Sequence, residues 1–399
     1  EIPPLADPPG LCPDPQLKLL VRDSYLPGVP ILVRAEITDS QDRIDRDRWN
    51  ATVTLSTDNP NVQLSTTEVA LYNGIGSALV TVSGSEPFTL TASWADQSVH
   101  KPLASLLGEP ITTVSGTLAG DTTWSGIVRI TGDLTVPSGT TLTVIPGTLV
   151  LLDGVASGSD GVDIDVLGRI QSLGTAQSPV TFTAYNPALA WGEIHHSSAG
   201  PSLYQYTEVM LAGRSPGAGH TGTGPAFRID NSALVFENCS ITDTVGKTMQ
   251  SSAVSDVTFR RTLLARSVMG PELAGTQLLF DRSFIQQMRY RDDADGIYIH
   301  DQQAGQSVVF RGGGVAMVDD DCIDTLGATV LIDDMVLRGA NDKGVSVYNG
   351  QVTITRCLIV ENSLAPEDGS QAAVSSKGTN GSTVTVNIDR TTIINDHPT

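Results

Sequence analysis

Four polar clusters fall in the last third of the chain: Asp292-Asp293-Ala294-Asp295-Gly296, Asp319-Asp320-Asp321-Cys322-Ile323-Asp324, Asn341-Asp342-Lys343-Gly344 and Ser375-Ser376-Lys377. Asp295 and Asp321 are 26 residues apart, Asp321 and Lys343 are 22 apart, and Lys343 and Lys377 are 34 apart across an additional loop, Leu364 to Ser370. A short carboxylate can serve as general acid or base, or as a ligand to a hard cation such as calcium; a lysine can neutralise an anion or take up a proton. Eleven of the 44 acidic residues lie between positions 288 and 345, and all eleven are Asp. Brought together they repel one another unless protons, lysines or a cation neutralise them. The plain alternative is that Asp and Asn at turns satisfy backbone groups and stay solvated.

The intervals suit coils of a solenoid, which places residues one coil apart side by side. Short apolar triplets bounded by Gly or Pro begin at Trp124-Ser125-Gly126-Ile127-Val128 and run through Leu134-Thr135-Val136, Leu142-Thr143-Val144 and Val180-Thr181-Phe182. Later coils read Ala233-Leu234-Val235-Phe236, Val257-Thr258-Phe259, Leu278-Leu279-Phe280, Val308-Val309-Phe310, Val330-Leu331-Ile332, Val352-Thr353-Ile354 and Val384-Thr385-Val386. This pattern predicts a right-handed parallel β-helix over 106–399, three short strands to a coil, with a large β-sandwich or jelly roll as the alternative. Asn238, Asn362 and Asn395 are expected at matched turns. Strand alternation places Tyr298, Asp324 and Ser346 in one outward column, with the acidic turns beside it.

Ahead of the solenoid, Pro3, Pro4, Pro8, Pro9, Pro13 and Pro15 mark residues 1–15 as an extended leader or linker. Residues 16–105 alternate as short strands, with turns at Asp58-Asn59-Pro60 and Asn73-Gly74 and a hinge expected from Lys101 to Pro110. Their phrases Pro27-Gly28-Val29-Pro30, Leu71-Tyr72-Asn73-Gly74-Ile75-Gly76-Ser77-Ala78 and Phe88-Thr89-Leu90-Thr91-Ala92-Ser93-Trp94 resemble bacterial immunoglobulin-like modules, which implies a spacer or binding module. The fold class expected is therefore all-β: a small immunoglobulin-like sandwich followed by the β-helix.

Within the solenoid, Asp293-Ala294-Asp295-Gly296-Ile297, Asp320-Asp321-Cys322-Ile323 and Lys343-Gly344-Val345-Ser346 resemble, in order and spacing, motifs of polygalacturonase-type glycoside hydrolases, and Lys377 falls at the family's last basic motif. The resemblance implies an inverting hydrolysis with Asp295, Asp320 and Asp321 as the acid and base carboxylates. The chain departs from it where Lys343 replaces the family His, Asp293 an Asn and Ser375 an Arg. Those departures are similar to pectate-lyase-type β-helices, which implies Lys343 as the base of a β-elimination and Asp293, Asp319, Asp320 and Asp324 as calcium ligands. His195-His196 is a weaker metal candidate, because neighbours on a strand point to opposite faces. The segment Ser215 to Gly224, with His220, reads as a loop, a possible rim over a groove.

A net charge of −20 and pI of about 4.5 exclude nucleic acid as the expected partner. An acidic polymer would require calcium or local cations to reverse the field. No apolar run is long enough to span a bilayer as a helix. Cys239 and Cys357 occupy equivalent places and are expected as core thiols; Cys12 and Cys322 complete the set. The expected function is polysaccharide binding through an acidic side groove, with or without cleavage, at the cell surface or outside the cell. The competing expectation is a structural or adhesive protein that binds another surface protein or self-associates head to tail, because the sequence shows no capping helix after Ile393-Ile394-Asn395-Asp396.

Overall fold

The computed structural model describes residues 14–290, 293–365, 372–379 and 381–394. Most of the leader, Cys12, Asp292, Asn395 and most of the Leu364–Ser370 loop lie outside these residues. Inward-facing Val, Ile, Leu and Phe at alternate positions dictate the coil: each short strand buries one row of side chains and then turns into the next. Three parallel sheets result. The first runs from Thr122–Trp124 through Ala233–Glu237 and Val308–Arg311 to Thr385–Asp389. The second includes Ser240–Thr242, Leu263–Ser267 and Phe284–Met288, and the third Lys247–Ser251, Met269–Ala274, Ile297–His300, Ile323–Leu326, Val345–Tyr348 and Val374–Lys377. The expected right-handed parallel β-helix is the architecture of the chain from Ile111 onward. Among the described residues the one helical segment is a 3-10 turn at His220–Gly222, and no helix is long and apolar enough to cross a membrane.

Parallel pairing without slippage stacks like on like. Along the inside of the first sheet, Tyr204, Phe236, Phe259, Phe280 and Phe310 pair in register, with ring centroids 5.0, 5.2, 5.8 and 5.6 Å apart. The turn from the first sheet to the second repeats a left-handed residue in six successive coils: Asn238, Arg261, Arg282, Gly312, Asp334 and Arg356. Arginine takes this strained position more often than asparagine because its side chain binds the acidic or amide side chains at the turn, as Arg261 does Asn238 at 2.7 Å and Arg356 does Asp333 at 2.8 Å. Asn362 is not equivalent to Asn238. It lies in the next turn, fully buried, accepting the Ala340 N–H and donating to the Leu337 carbonyl. Cys239 and Cys357 sit one residue after the left-handed position, buried and free, each with its Sγ directed to the carbonyl two residues earlier.

The amino-terminal unit is an antiparallel pair of sheets, one of Gln16–Leu20, Ile31–Thr38 and Ile75–Val80, the other led by Ala51–Thr57, Phe88–Trp94 and Gln97–Ser105. Asn73 and Gly74 both have positive φ, so the tight turn expected there forms; a Cβ on Gly74 would stand 2.3 Å from the Asp45 carbonyl. The hinge expected from Lys101 is strand through Ser105, paired with Phe88–Trp94; its alternation is of polar residues, which masks the period. This unit packs against the solenoid. It lies along the second sheet, where Ile75 packs on Leu263, Ala265 and Phe284, Arg34 donates to the Cys239 and Arg261 carbonyls at 2.8 and 3.1 Å, and Arg46 pairs with Asp334 at 2.8 Å. In the last described coil Ile388, Ile393 and Ile394 are exposed.

The aromatic ladder runs through five successive coils of the solenoid core. Phe259→Ala is expected to lower unfolding free energy by about 3–5 kcal/mol, and Phe259→Leu by well under half of that, in urea titrations followed by far-UV circular dichroism.

Candidate active site

The third sheet faces away from the amino-terminal unit and carries one outward column in register: Asp165, His195, Arg228, Gln250, Glu272, Tyr298, Asp324, Ser346 and Ser375. The turn feeding this sheet stacks Asp295, Asp321 and Lys343. The Asp321 N–H donates to Asp295 Oδ1 at 3.3 Å, the Lys343 N–H donates to Asp321 Oδ1 at 2.7 Å, and the Asp293 N–H donates to Asp320 Oδ2 at 3.0 Å. One oxygen of each acid thus satisfies the backbone of the neighbouring coil, as expected of turn aspartates. The carboxylates also converge. Asp295, Asp320 and Asp321 each offer an oxygen within 4.8 Å of the others, and Asp295 and Asp324 form a second such group with His220.

Burial decides the electrostatics. Asp295 and Asp321 are 1% and 5% exposed, whereas Asp320 and Asp324 are partly open. Desolvation pushes the Asp295 carboxyl well above the usual carboxylate range, and the charges of Asp324 and Asp320 push it further, against the Asp321 N–H. Asp321 is raised well above its ordinary value by burial and then by Asp295, Asp320 and Asp324, with Lys343 opposing. Asp324 is raised by burial as well, with Ser346 and His220 opposing. A group of carboxylates arranged so shares protons when its neighbours are ionised.

His220 is the residue whose part the sequence did not disclose. Its loop folds back over the third sheet, held by Lys247 on the Ala218 carbonyl, by Gln250 on the same oxygen at 3.0 Å and by Arg228 on the Pro216 carbonyl at 2.5 Å. The loop passes so near Glu272 that a Cβ on Gly219, at φ +72°, would stand 1.9 Å from Glu272 Oε1. His220 Nδ1 lies 3.2 Å from Asp295 Oδ2 and 3.8 Å from Asp293 Oδ1, and its ring stacks on Tyr298 at 4.0 Å and 6°. His300 stacks on Tyr298 beyond it, at 4.6 Å. Beneath, Lys247 and Glu272 form a buried ion pair at 3.0 Å; burial pushes Glu272 up, but His300 and Lys247 outweigh it and hold it below its ordinary value.

Other sequence candidates are placed elsewhere or differently employed. Asp319 pairs with Arg289 at 2.7 Å and accepts from Asn341 at 3.3 Å, so it is turned to a neighbouring ion pair and belongs to neither close-set group. Lys343 Nζ pairs with Asp342 and lies 3.7 Å from Asp321, so its charge is engaged by two carboxylates. Lys377 lies two coils beyond Asp324 and two residues along the strand, in register with Tyr348 and Leu326. His195 and His196 point to opposite faces. His195 reaches Asp230 at 2.9 Å, while His196 is buried on Tyr204 with its pKa lowered by desolvation to about 3.

The set proposed from sequence for calcium, Asp293, Asp319, Asp320 and Asp324, does not assemble as one shell. Of the four, Asp320 belongs to the group with Asp295 and Asp321, Asp324 to the group with His220 and Asp295, and Asp293 and Asp319 to neither.

Comparison with solved structures gives low similarity. The catalytic unit of a thermostable GH87 alpha-1,3-glucanase from Streptomyces thermodiastaticus strain HF3-3 is 12% identical, with a TM-score of 0.34 over 91% of this chain and 90% of that one. A GH87 alpha-1,3-glucanase catalytic domain in complex with nigerose is 11% identical, with a TM-score of 0.27 over 93% and 89%. Domains 4 and 5 of the S-layer protein SbsC are 15% identical, with a TM-score of 0.18 over 23% of this chain and 53%, about half, of that one. No family model and no curated protein sequence matches the chain.

Because Asp295 holds its proton more tightly folded than unfolded, its ionisation costs stability as pH rises from about 4, the ordinary carboxylate value, towards its raised pKa. Asp295→Asn removes that cost, so the melting temperature of the variant is expected to gain on the wild type steadily over this range; a difference independent of pH would contradict the assignment. Addition of a chelator is expected to leave the wild-type melting temperature unchanged, since a tightly held structural ion would lower it on removal.

Proposed function

We propose that this protein is a secreted, carbohydrate-active β-helix that hydrolyses glycosidic bonds of a neutral polysaccharide laid over the third sheet. The observation that carries this reading is the carboxylate cluster at Asp295, Asp320, Asp321 and Asp324, in which buried, proton-holding acids adjoin partly open ones. Glycoside hydrolysis needs one carboxylic acid to protonate the leaving oxygen and one carboxylate to activate water. Asp324, partly open and with a raised pKa, is suited to the first task, and Asp320, partly open in the turn that leads into the strand of Asp324, to the second. Asp295 belongs to both close-set groups, so it and Asp321 act beneath the pair, fixing its geometry and retaining its proton.

The rest of the site fits a neutral sugar better than a uronate. A uronate carboxylate would meet a cluster of like charge, and the amine that would offset it, Lys343, is engaged by Asp321 and Asp342. This favours hydrolysis over β-elimination, for which Lys343 would have to be an unprotonated base. His220, stacked on Tyr298 and bonded to Asp295, closes one side of the cluster and excludes water from it.

Purified protein is expected to release reducing ends from one or more neutral glycans in a panel that includes polygalacturonate. Asp320→Asn and Asp324→Asn are each expected to lower the rate by about 10²–10⁴-fold with unchanged circular dichroism spectra. Full activity in both variants would remove these residues from the mechanism; ultraviolet-absorbing unsaturated ends released from polygalacturonate would restore the lyase reading.

A further inference from the structure

A second concavity lies on another side of the molecule, between the amino-terminal unit and the turns that lead from the first sheet to the second. Its volume is about 940 Å³. One wall is the left-handed turn position of six successive coils, Tyr206, Asn238, Arg261, Arg282, Gly312 and Asp334. At about 4.8 Å per coil, five steps make a trough about 24 Å long. The opposite wall comes from the strands Gln16–Leu20 and Ile31–Thr38, the loop after them, and Gln97–Ser105.

Charge sets this trough apart from the rest of the protein. Seven Lys or Arg side chains line it against three carboxylates, Glu36, Asp42 and Asp334, in a chain whose net charge is −20. Four of the cations are matched by acids: Lys18 by Asp42, Arg34 by Glu36, Arg43 by Asp39 and Arg46 by Asp334. The other three are not matched one to one. Arg261 binds the neutral amide of Asn238 at 2.7 Å, Lys101 binds the Gln177 carbonyl at 3.0 Å, and Arg282 shares Asp281 with Arg311. Among the described residues no carboxylate pairs with Arg261 or Lys101. Arg261 and Arg282 occupy the same turn position on adjacent coils, so their side chains leave the backbone one coil rise apart.

We propose that this trough binds a linear anionic glycan, one whose sugar rings carry carboxylate or sulfate groups, with Arg261, Arg282 and Lys101 as the principal contacts. An elongated trough with cations on two adjacent coils and a third, Lys101, on the facing wall fits a polymer better than a single small anion. The repeat, about 4.8 Å, exceeds the 3.4 Å charge spacing of a nucleic-acid strand, whereas a charge on each sugar ring suits it. The field inside the trough supplies the local reversal that an acidic protein needs to hold an acidic polymer. Binding here is independent of the hydrolytic reading, because the carboxylate cluster belongs to the third sheet and the trough to the opposite edge of the second. The arrangement would anchor the protein on an acidic matrix while the third sheet engages a different chain.

Affinity electrophoresis and calorimetry of the full chain at low and high salt test this, with polygalacturonate as the carboxylated probe, heparin as the sulfated one, and dextran, polyglutamate and single-stranded DNA as comparisons. Expected is salt-sensitive binding of at least one acidic glycan, weakened about tenfold for each cation removed in the double variant Arg261→Gln/Arg282→Gln, and unchanged in Asp320→Asn. Lys101→Glu, on an exposed strand, gives a second reading if the double variant does not fold, and is expected to weaken binding at least as much as loss of one arginine. The stronger of polygalacturonate and heparin identifies the acidic group. Unchanged affinity in the folded variants, tighter binding of DNA or polyglutamate than of either glycan, or no glycan binding by the wild type at low salt would each overturn the proposal.

Discussion

The backbone hydrogen bonds between one coil and the next fix everything else in this molecule. They are parallel, evenly spaced and unslipped over most of the solenoid, so a residue at a given place in one coil has its counterpart directly above and below. The aromatic ladder from Tyr204 to Phe310, the left-handed turns at Asn238, Arg261 and Arg282, and the aspartate turns at Asp295 and Asp321 are three expressions of the same register. A slip of one residue would turn the inward rings outward and separate the acidic turns. The site is thus as rigid as the stack beneath it, and its carboxylates are crowded because the backbone leaves them no room to part.

Crowding would be untenable without compensation, and the molecule distributes it by face. On the third sheet the pKa values of Asp295, Asp321 and Asp324 are all raised, chiefly by burial, which eases their mutual repulsion by favouring the neutral forms. Next to them Lys247 and Glu272 neutralise each other without solvent, and in doing so hold the loop that brings His220 to Asp295. On the second sheet the compensation is arginine. Arg22, fully buried, and Arg34 act on Glu208, whose carboxyl burial still pushes up to about 7, while Arg34 and Arg46 attach the amino-terminal unit to the coil turns.

Much of this was legible in the chain. Val257-Thr258-Phe259 and its counterparts disclose the coil because inward residues must be apolar and turns must interrupt them. Tyr298, Asp324 and Ser346 fall in one outward column because strand alternation has a period of two, which the alignment of Ile297, Ile323 and Val345 fixes. The matched asparagines were less reliable: Asn238 and Asn362 belong to different turns, one exposed to a left-handed backbone constraint and the other to the buried ends of the Ala340 N–H and Leu337 carbonyl. Asp319 and Asp321 look alike in sequence, yet one faces Arg289 and the other Lys343.

The amino-acid sequence by itself determined what lies within a coil and what repeats from coil to coil: the inward rows, the outward column and the height of each acidic turn along the axis. Those follow from local alternation and from a constant period. Only the tertiary structure decided that His220 reaches across 75 residues of chain to Asp295, that Lys343 is engaged by carboxylates and that the amino-terminal unit lies along the second sheet. Such contacts depend on how a loop or a neighbouring unit folds back over the stack, where neither period nor alternation constrains the path, and burial and charge pairing select the partner.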